Sequence, residues 1–193
     1  MAPQSSSGEA HSAGAVRGAR RSEGREGDGT PAAFYDGQML ERLKAIIGRA
    51  QPATPPEAVR SFGPADRPIT ETGVTPDDGG WKIVVAEAGS VRLFEVAEPG
   101  VERCLLAYRA ELRTADVEGG AFLEVWCRLP GRGEFFSKGL HQKATGTTGW
   151  SSHEVSFRLK ADQRPDLIRL NLAVEGPGTI WVRNVQLLQT PQR

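Results

Sequence analysis

The sequence has few of the features that define redox, metal or membrane proteins. Its 193 residues include two cysteines, which do not form a C-x-x-C motif, and three histidines, no two of which have metal-ligand spacing. No apolar run approaches the roughly 20 residues that a membrane-spanning helix needs. We therefore predict no metal, no cofactor and no membrane span.

The charge balance and the missing catalytic motifs exclude further classes. Lys and Arg together number 24, as do Asp and Glu, and no element carries a basic cluster of the kind that binds nucleic acid. The sequence has no E-x-D-x-E motif of paired carboxylates, no G-x-S-x-G around Ser137 and no phosphate-binding loop. An enzyme and a nucleic-acid partner are not predicted.

The first 79 residues differ in composition from the rest. Residues 1–33 have almost no large apolar side chain and predict a disordered arm, whereas residues 34–48 have apolar spacing typical of one short amphipathic helix. Residues 49–79 are rich in proline and predict an extended linker. Without an apolar signal segment we expect a cytoplasmic protein, or an extracytoplasmic one if translation starts elsewhere, for example at Met39. The glycine and arginine content resembles that of bacterial proteins.

From residue 80 to residue 190 the chain shows short alternating runs separated by turn residues. This pattern is typical of an all-β domain. The runs predict eight strands, at residues 81–86, 90–97, 103–114, 121–129, 134–140, 152–160, 166–175 and 179–188. The loss of alternation at Arg183 and Asn184 predicts a bulge. The expected fold is an eight-strand antiparallel β-sandwich, a jelly roll.

The alternation also assigns the core. Apolar side chains recur at every second residue over 104–112 and over 168–174, which places both sets on inward faces. His153 falls on such a face and is expected to be a hydrogen-bonded core residue. Cys104 and Cys127 also point inward, so two buried thiols are favoured, while a disulfide remains an alternative that needs matched register and an oxidising compartment.

The stretch AFLEVWCRLPG, residues 121–131, raises a question about its outward face. If Leu123 and its alternate neighbours point inward, a tryptophan and a phenylalanine point outward among charges. With the preceding strand as a neighbour, this face predicts a candidate ligand site, because an indole stacks on the C–H face of a sugar while charged groups bind its hydroxyls. The candidate residues are Phe122, Glu124, Trp126, Arg128, Arg109 and Glu111.

Packing is the alternative for the same face, since residues 34–47 could cover Trp126. The other tryptophans, Trp81, Trp150 and Trp181, lie next to turns or the bulge and are predicted to close the ends of the domain.

Three successive segments carry a family resemblance. GTTGWSSHEVSFRL, QRPDLIRLNLAVEG and GPGTIWVRNVQLL resemble the C-terminal half of jelly-roll, galactose-binding-like domains, an architecture shared by many carbohydrate-binding modules. The resemblance covers residues 80–190. It implies a sugar binder, a protein-contact module or a spacer. Related domains often hold a structural calcium through an acidic residue where this chain has Arg183 and Asn184, so calcium is not supported here.

Carbohydrate recognition by a non-catalytic module is the leading functional prediction. The alternative is a protein-interaction or structural accessory domain without a small-molecule ligand. The identity of the sugar and the oligomeric state do not follow from the sequence.

Overall fold

Two strands form within the stretch that the sequence assigned to a linker. The structure, a computed structural model, describes residues 55–192. β1 (Glu57–Phe62) pairs with the last strand, and β2 (Val74–Asp77) forms a hairpin with β3 (Gly80–Val85). The predicted linker therefore does not extend through these residues. The proline-rich flanks concealed both strands, although proline is tolerated at sheet edges and strand ends. The predicted arm and helix lie outside the described residues.

The described chain is all-β with nine antiparallel strands, not eight. The remaining elements are β4 (Gly89–Ala97), β5 (Cys104–Leu129), β6 (Gly133–Lys138), a short 3-10 turn (Leu140–Gln142), β7 (Ala144–Arg158), β8 (Leu167–Val174) and β9 (Gly178–Pro191). The predicted strands at 103–114 and 121–129 are one continuous strand of 26 residues. With β1 and β2 added, this merger accounts for the difference in number.

β5 joins two groups of strands. Its first segment, residues 104–115, lies between β9 and β7, and its second segment, residues 121–129, lies between β8 and β6. Between them Gly119 has a positive φ of 73°, and a Cβ there would lie 2.8 Å from the Cβ of Glu175. The DVEGG segment is thus a bend inside a strand, where glycine provides the left-handed conformation and the close approach.

The inward faces match the predicted alternation. Every second residue of β5 from Cys104 to Leu112 is at most 1% exposed, and so are Ile168, Leu170 and Leu172 of β8. Side chains from both groups of strands form one continuous hydrophobic core. The predicted bulge is also present, because the register between β5 and β9 shifts opposite Asn184, whose φ is 52°.

Both cysteines lie in this core as free thiols, which confirms the favoured interpretation. Cys104 and Cys127 are at most 1% exposed. Burial raises the pKa of the Cys127 thiol to about 12, with a smaller contribution from Cys104. Both side chains therefore pack as small apolar groups, since the reactive thiolate form is disfavoured.

His153 is a hydrogen-bonded core residue, as the sequence predicts. It is 7% exposed, its Nδ1 donates to the carbonyl oxygen of Gln142 at 2.8 Å, and its Nε2 lies 2.9 Å from the Ser151 hydroxyl. Burial lowers the pKa of His153, and the bond to the carbonyl opposes this only in part. The neutral imidazole is thus the form that fits the fold.

We expect the free energy of unfolding to fall as the pH drops below about 6.5, the ordinary pKa of histidine. Because the folded-state pKa is lower, the unfolded chain binds the proton first, so stability contributed by neutral His153 is lost as the pH falls through the folded pKa. Urea unfolding at pH 7.5 and 5.5 measures this. His153→Gln should flatten the dependence, whereas His141→Gln, at an exposed position, should leave it unchanged.

Candidate functional site

The outward side of β4, β8, the second segment of β5 and β6 forms a surface that we name the cleft face. Residues directly opposite each other on antiparallel strands project to the same side. The strand register therefore sets the side chains in rows across the four strands. One row contains Arg92, Asn171, Glu124 and Lys138, and the next contains Glu95, Arg169, Trp126 and Phe136.

A cavity of about 310 Å³ crosses this face. All four strands contribute to its lining, which consists of Ser90, Arg92, Glu124, Trp126, Glu134, Arg169 and Asn171. The volume lies at the lower end of the range for small-molecule sites, about 300–1,000 Å³. The cleft face can therefore hold a small ligand or a short part of a longer one.

Trp126 lines one side of the cavity, and Phe136 packs against it. Trp126 is half-buried, and Phe136, opposite it on β6, is 52% exposed. Their ring centroids are 4.6 Å apart, with an interplanar angle of 34°. Because each ring supports the other, the indole keeps its orientation while part of its surface stays open to a ligand.

The floor of the cleft is polar and buried. Glu124 is 4% exposed and Asn171 is 6% exposed. Lys138 Nζ lies 3.2 Å from Glu124 Oε1, and Asn171 Nδ2 donates a long bond of 3.5 Å to Glu124 Oε2. Among the described residues nothing donates a hydrogen bond to Asn171 Oδ1. A buried acceptor left unpaired costs about 1–3 kcal/mol, so the floor of the cleft is not arranged for stability alone.

Ion pairs hold the rim of the cleft. Arg169 donates from Nη1 to Glu134 at 2.8 Å and from Nε to Glu95 at 3.2 Å, which links β8 to β6 and to β4. Arg128 binds both carboxylate oxygens of Asp166, at 2.9 and 3.0 Å, and these bonds hold the pKa of Asp166 below its ordinary value. Pairs this exposed contribute little stability, but they order the side chains around the cavity.

The structure brings four of the six predicted site residues to this face, with different exposure. Trp126 and Glu124 line the cavity. Arg128 is exposed at the rim. Phe122 is only 4% exposed, with Lys143 Nζ 5.5 Å from its ring centroid. Phe122 is therefore buried outside the central hydrophobic core and is not open to a ligand in this arrangement.

The other two predicted residues, Arg109 and Glu111, lie elsewhere, and their placement beside Trp126 is wrong. They belong to the first segment of β5, where Arg109 binds Glu154 at 2.6 Å. Glu111 accepts from Arg183 at 2.8 Å and from Asn184 at 3.0 Å, and these bonds lower its pKa. Alternation predicted two strands paired as a hairpin, whereas the bend in β5 sends its two segments to different partners.

Of the three tryptophans predicted to close the ends of the domain, only Trp81 is fully buried. Trp81 is 1% exposed and packs edge-on against Phe94 in the core. Trp150 and Trp181 are half-buried on strands of the other group. The guanidinium carbons of Arg183 and Arg113 lie 4.1 Å from their respective ring centroids. The two tryptophan rings on this surface are therefore covered by arginine side chains of the same chain through cation–π contacts.

Sequence reasoning missed most of the cleft. Asn171 and Arg169 lie on the outward side of a strand whose other side is entirely apolar, and a buried asparagine in mid-strand was the available signal. Glu134 and Phe136 belong to the segment PGRGEFF, which the sequence offers as a possible ligand contact at the rim of the domain but does not connect to Trp126. Only the register between strands shows that these side chains converge.

Within residues 55–192, no group of three or more His, Cys, Asp or Glu residues is placed to hold a metal ion. No helix in the same part of the chain is long and apolar enough to cross a membrane.

Comparison with known proteins shows similarity of structure only. No protein-family model and no curated protein matches the chain. Among solved structures, the CBM22-1 xylan-binding domain of Paenibacillus barcinonensis Xyn10C is 10% identical, with a TM-score of 0.50 over 73% of this chain and 99% of that domain. A second match is a family 16 carbohydrate-binding module, at 12% identity and a TM-score of 0.45 over 65% of this chain and 92% of that one.

A C-terminal family 22 module of Clostridium thermocellum Xyn10B is also similar, at 10% identity and a TM-score of 0.41 over 72% of this chain and 94% of that one. The match to the xylan-binding domain, at a TM-score of 0.50, confirms the predicted resemblance at the level of fold. The chain contains a domain folded like a carbohydrate-binding module, and it matches the xylan-binding domain over almost all of that domain's length.

Proposed function

We propose that this domain is a non-catalytic module that binds carbohydrate on the cleft face. The observation that carries the proposal is a cavity on one sheet face that the indole of Trp126 lines together with the polar side chains of Glu124 and Asn171. This combination suits a sugar better than a purely apolar or purely ionic ligand. The xylan-binding domain with the same fold supports the class of ligand.

The chemistry of a pyranose matches the two sides of the cleft. One ring face presents C–H groups, which stack on an indole, and the rim presents hydroxyls, which both donate and accept hydrogen bonds. A hydroxyl over the floor can donate to the Glu124 carboxylate, and the Asn171 amide can hydrogen-bond another. Arg92, exposed on the cavity wall, can donate to a third. The size of the cavity suits one or two sugar residues at a time.

Trp126 and Glu124 are the central binding residues in this proposal. Arg128 acts at the rim, through its ordered pair with Asp166. Phe122 takes part only through packing, since it is buried. Arg109 and Glu111 take no part, because they pair with residues of the other group of strands.

Binding without catalysis is favoured by the state of the carboxylates in the cavity. Hydrolysis of a glycosidic bond needs two carboxyl groups free to act as acid and base or nucleophile. Glu124 lies against Lys138, and Glu134 accepts from Arg169. Both carboxylates are thus already bound to basic side chains of the same face.

We also propose that the two groups of strands joined by β5 pack as a jelly-roll β-sandwich. The single core shared by both groups supports this arrangement. In such a sandwich the cleft face lies on the outer side of one sheet, and the Trp150 and Trp181 surface lies on the outer side of the other.

The decisive experiment compares Asn171→Ala with the wild type in a glycan-array screen followed by titration calorimetry with the best oligosaccharide, xylan fragments included. Loss of the amide from the cavity lining should weaken binding at least tenfold, which corresponds to about 1.4 kcal/mol. Because the substitution also removes the long Nδ2 bond to Glu124, thermal unfolding must show that the variant is folded before its affinity is compared.

Gln186→Ala is the matched control, since it removes an amide from β9, outside the cleft. It should leave the affinity unchanged. If the wild type binds no glycan on the array, the proposal fails and a protein-contact role becomes the better explanation. If Asn171→Ala and the wild type bind the glycan with equal affinity, the cleft face is not the binding site.

A further inference from the structure

β6 is an exposed edge strand at the open end of the cleft face. It pairs with β5 on one side, and no strand among residues 55–192 pairs with its other side. Five of its six residues are exposed and Ser137 is half-buried. Phe135 and Phe136 are 42% and 52% exposed. A bare edge with apolar side chains is a template for another strand.

The pairing with β5 determines which backbone groups of β6 point outward. The amide of Gly139 donates to the carbonyl of Leu123 at 2.9 Å. Hydrogen-bonded pairs alternate along an antiparallel ladder, so Ser137 and Phe135 also direct their N–H and C=O groups to β5. The corresponding groups of Glu134, Phe136 and Lys138 therefore face the open side.

These three residues are self-complementary about Phe136. In an antiparallel pair of two β6 strands with Phe136 opposite its own copy, Glu134 lies opposite the partner's Lys138 and Lys138 lies opposite the partner's Glu134. The charges are then complementary, and the residues brought into register are those with free backbone groups. Cross-strand aromatic pairs and opposite charges both stabilise a sheet.

We propose that β6 is a homodimer interface, in which two copies of this chain join edge to edge in the register just described. The occupant is a second copy, because the order of acidic, aromatic and basic residues along β6 complements itself when reversed. The symmetry is two-fold and therefore closed. The β6 edge of each copy covers the β6 edge of the other, so this contact joins only two copies.

The dimer would place two cavities in line. Each cavity extends across the face from β4 to Glu134 of β6, so pairing through β6 brings the two together at the symmetry axis. The partner's Phe136 then lies beside the pair formed by Trp126 and Phe136. This consequence rests on the proposed function: one long saccharide could occupy both sites and gain affinity through linkage. The dimer itself does not depend on a ligand.

Sedimentation equilibrium of the full chain without sugar tests the interface. The wild type should populate a dimer as its concentration rises. Glu134→Lys and Lys138→Glu each place like charges opposite each other and should be monomeric alone. An equimolar mixture of the two should form a heterodimer, since each Lys then faces a Glu. Arg132→Glu, a charge reversal in the adjacent turn, is the control and should dimerise like the wild type. Circular dichroism checks that each variant is folded.

Three results would overturn the proposal. One is a wild type that remains monomeric up to about 1 mM, which would limit the free energy of association to less than about 4 kcal/mol. Another is a mixture of folded variants that forms no heterodimer. The third is a monomer whose Phe136 amide is protected from hydrogen exchange, which would place another segment of the same chain on the edge. Dimerisation without glycan binding would reject the proposed function alone.

Discussion

Trp126→Ala should abolish measurable glycan binding while the fold remains intact. The indole lines the cavity and packs against Phe136, and stacking contributes about 1 kcal/mol or more beyond the area that it buries. Because sugar sites bind weakly, such a loss at the centre of the cleft leaves little affinity. Titration calorimetry against the oligosaccharide bound best by the wild type measures the effect, with thermal unfolding as the check on the fold.

Trp150→Ala is the matched control, because it removes an equally large aromatic ring from the other group of strands. The side chain is half-buried beneath Arg183, so its loss should lower the melting temperature modestly and leave binding intact. If Trp126→Ala unfolds the domain and Trp150→Ala abolishes binding, the site is on the wrong face.

Leu170→Ala should lower the free energy of unfolding by about 2 to 5 kcal/mol, the range for a leucine truncated in a core. Leu170 is 0% exposed and lies at the middle of β8, between β4 and β5. The new cavity has rigid strands on both sides and cannot collapse easily. Urea unfolding followed by circular dichroism measures the change in the midpoint.

The adjacent Arg169 provides the control, since its side chain points to the cleft face. Arg169→Ala removes two partly exposed ion pairs, and such pairs contribute about 0–1 kcal/mol each. Its effect on stability should be the smaller of the two. Similar effects for both variants would mean that the inward and outward sides of β8 are not as described.

For glycan binding we expect the reverse order of effects, with Arg169→Ala more harmful than Leu170→Ala. Arg169 lines the cavity and orders Glu134, so its loss should weaken binding, whereas folded Leu170→Ala protein should keep its affinity.

Local pattern was sufficient to predict the core. Leucine and isoleucine recur at every second residue of β8, and the two-residue period of a strand then determines which side is buried. The same logic placed Cys127 and His153 inward and detected the bulge at Asn184. It failed at β1, where proline-rich flanks concealed a short edge strand, and at the DVEGG segment, where a bend resembles a turn.

Contacts between distant segments decided the site. The sequence shows that Trp126 and Glu124 share a face of one strand, but Asn171 reaches them only because β8 pairs with the second segment of β5. Arg109 and Glu111 lie away from the site because the first segment of β5 pairs with β7 and β9 instead of β8.

The sequence by itself determined an all-β domain, the inward side of its central strands and the outward position of Trp126, because each depends on a period of two within one strand. Only the tertiary structure decided which outward side chains meet, which acceptor on the floor stays unpaired and which strand edge is left open. Those properties depend on which strands pair and in what register, and many arrangements of strands satisfy the same local pattern.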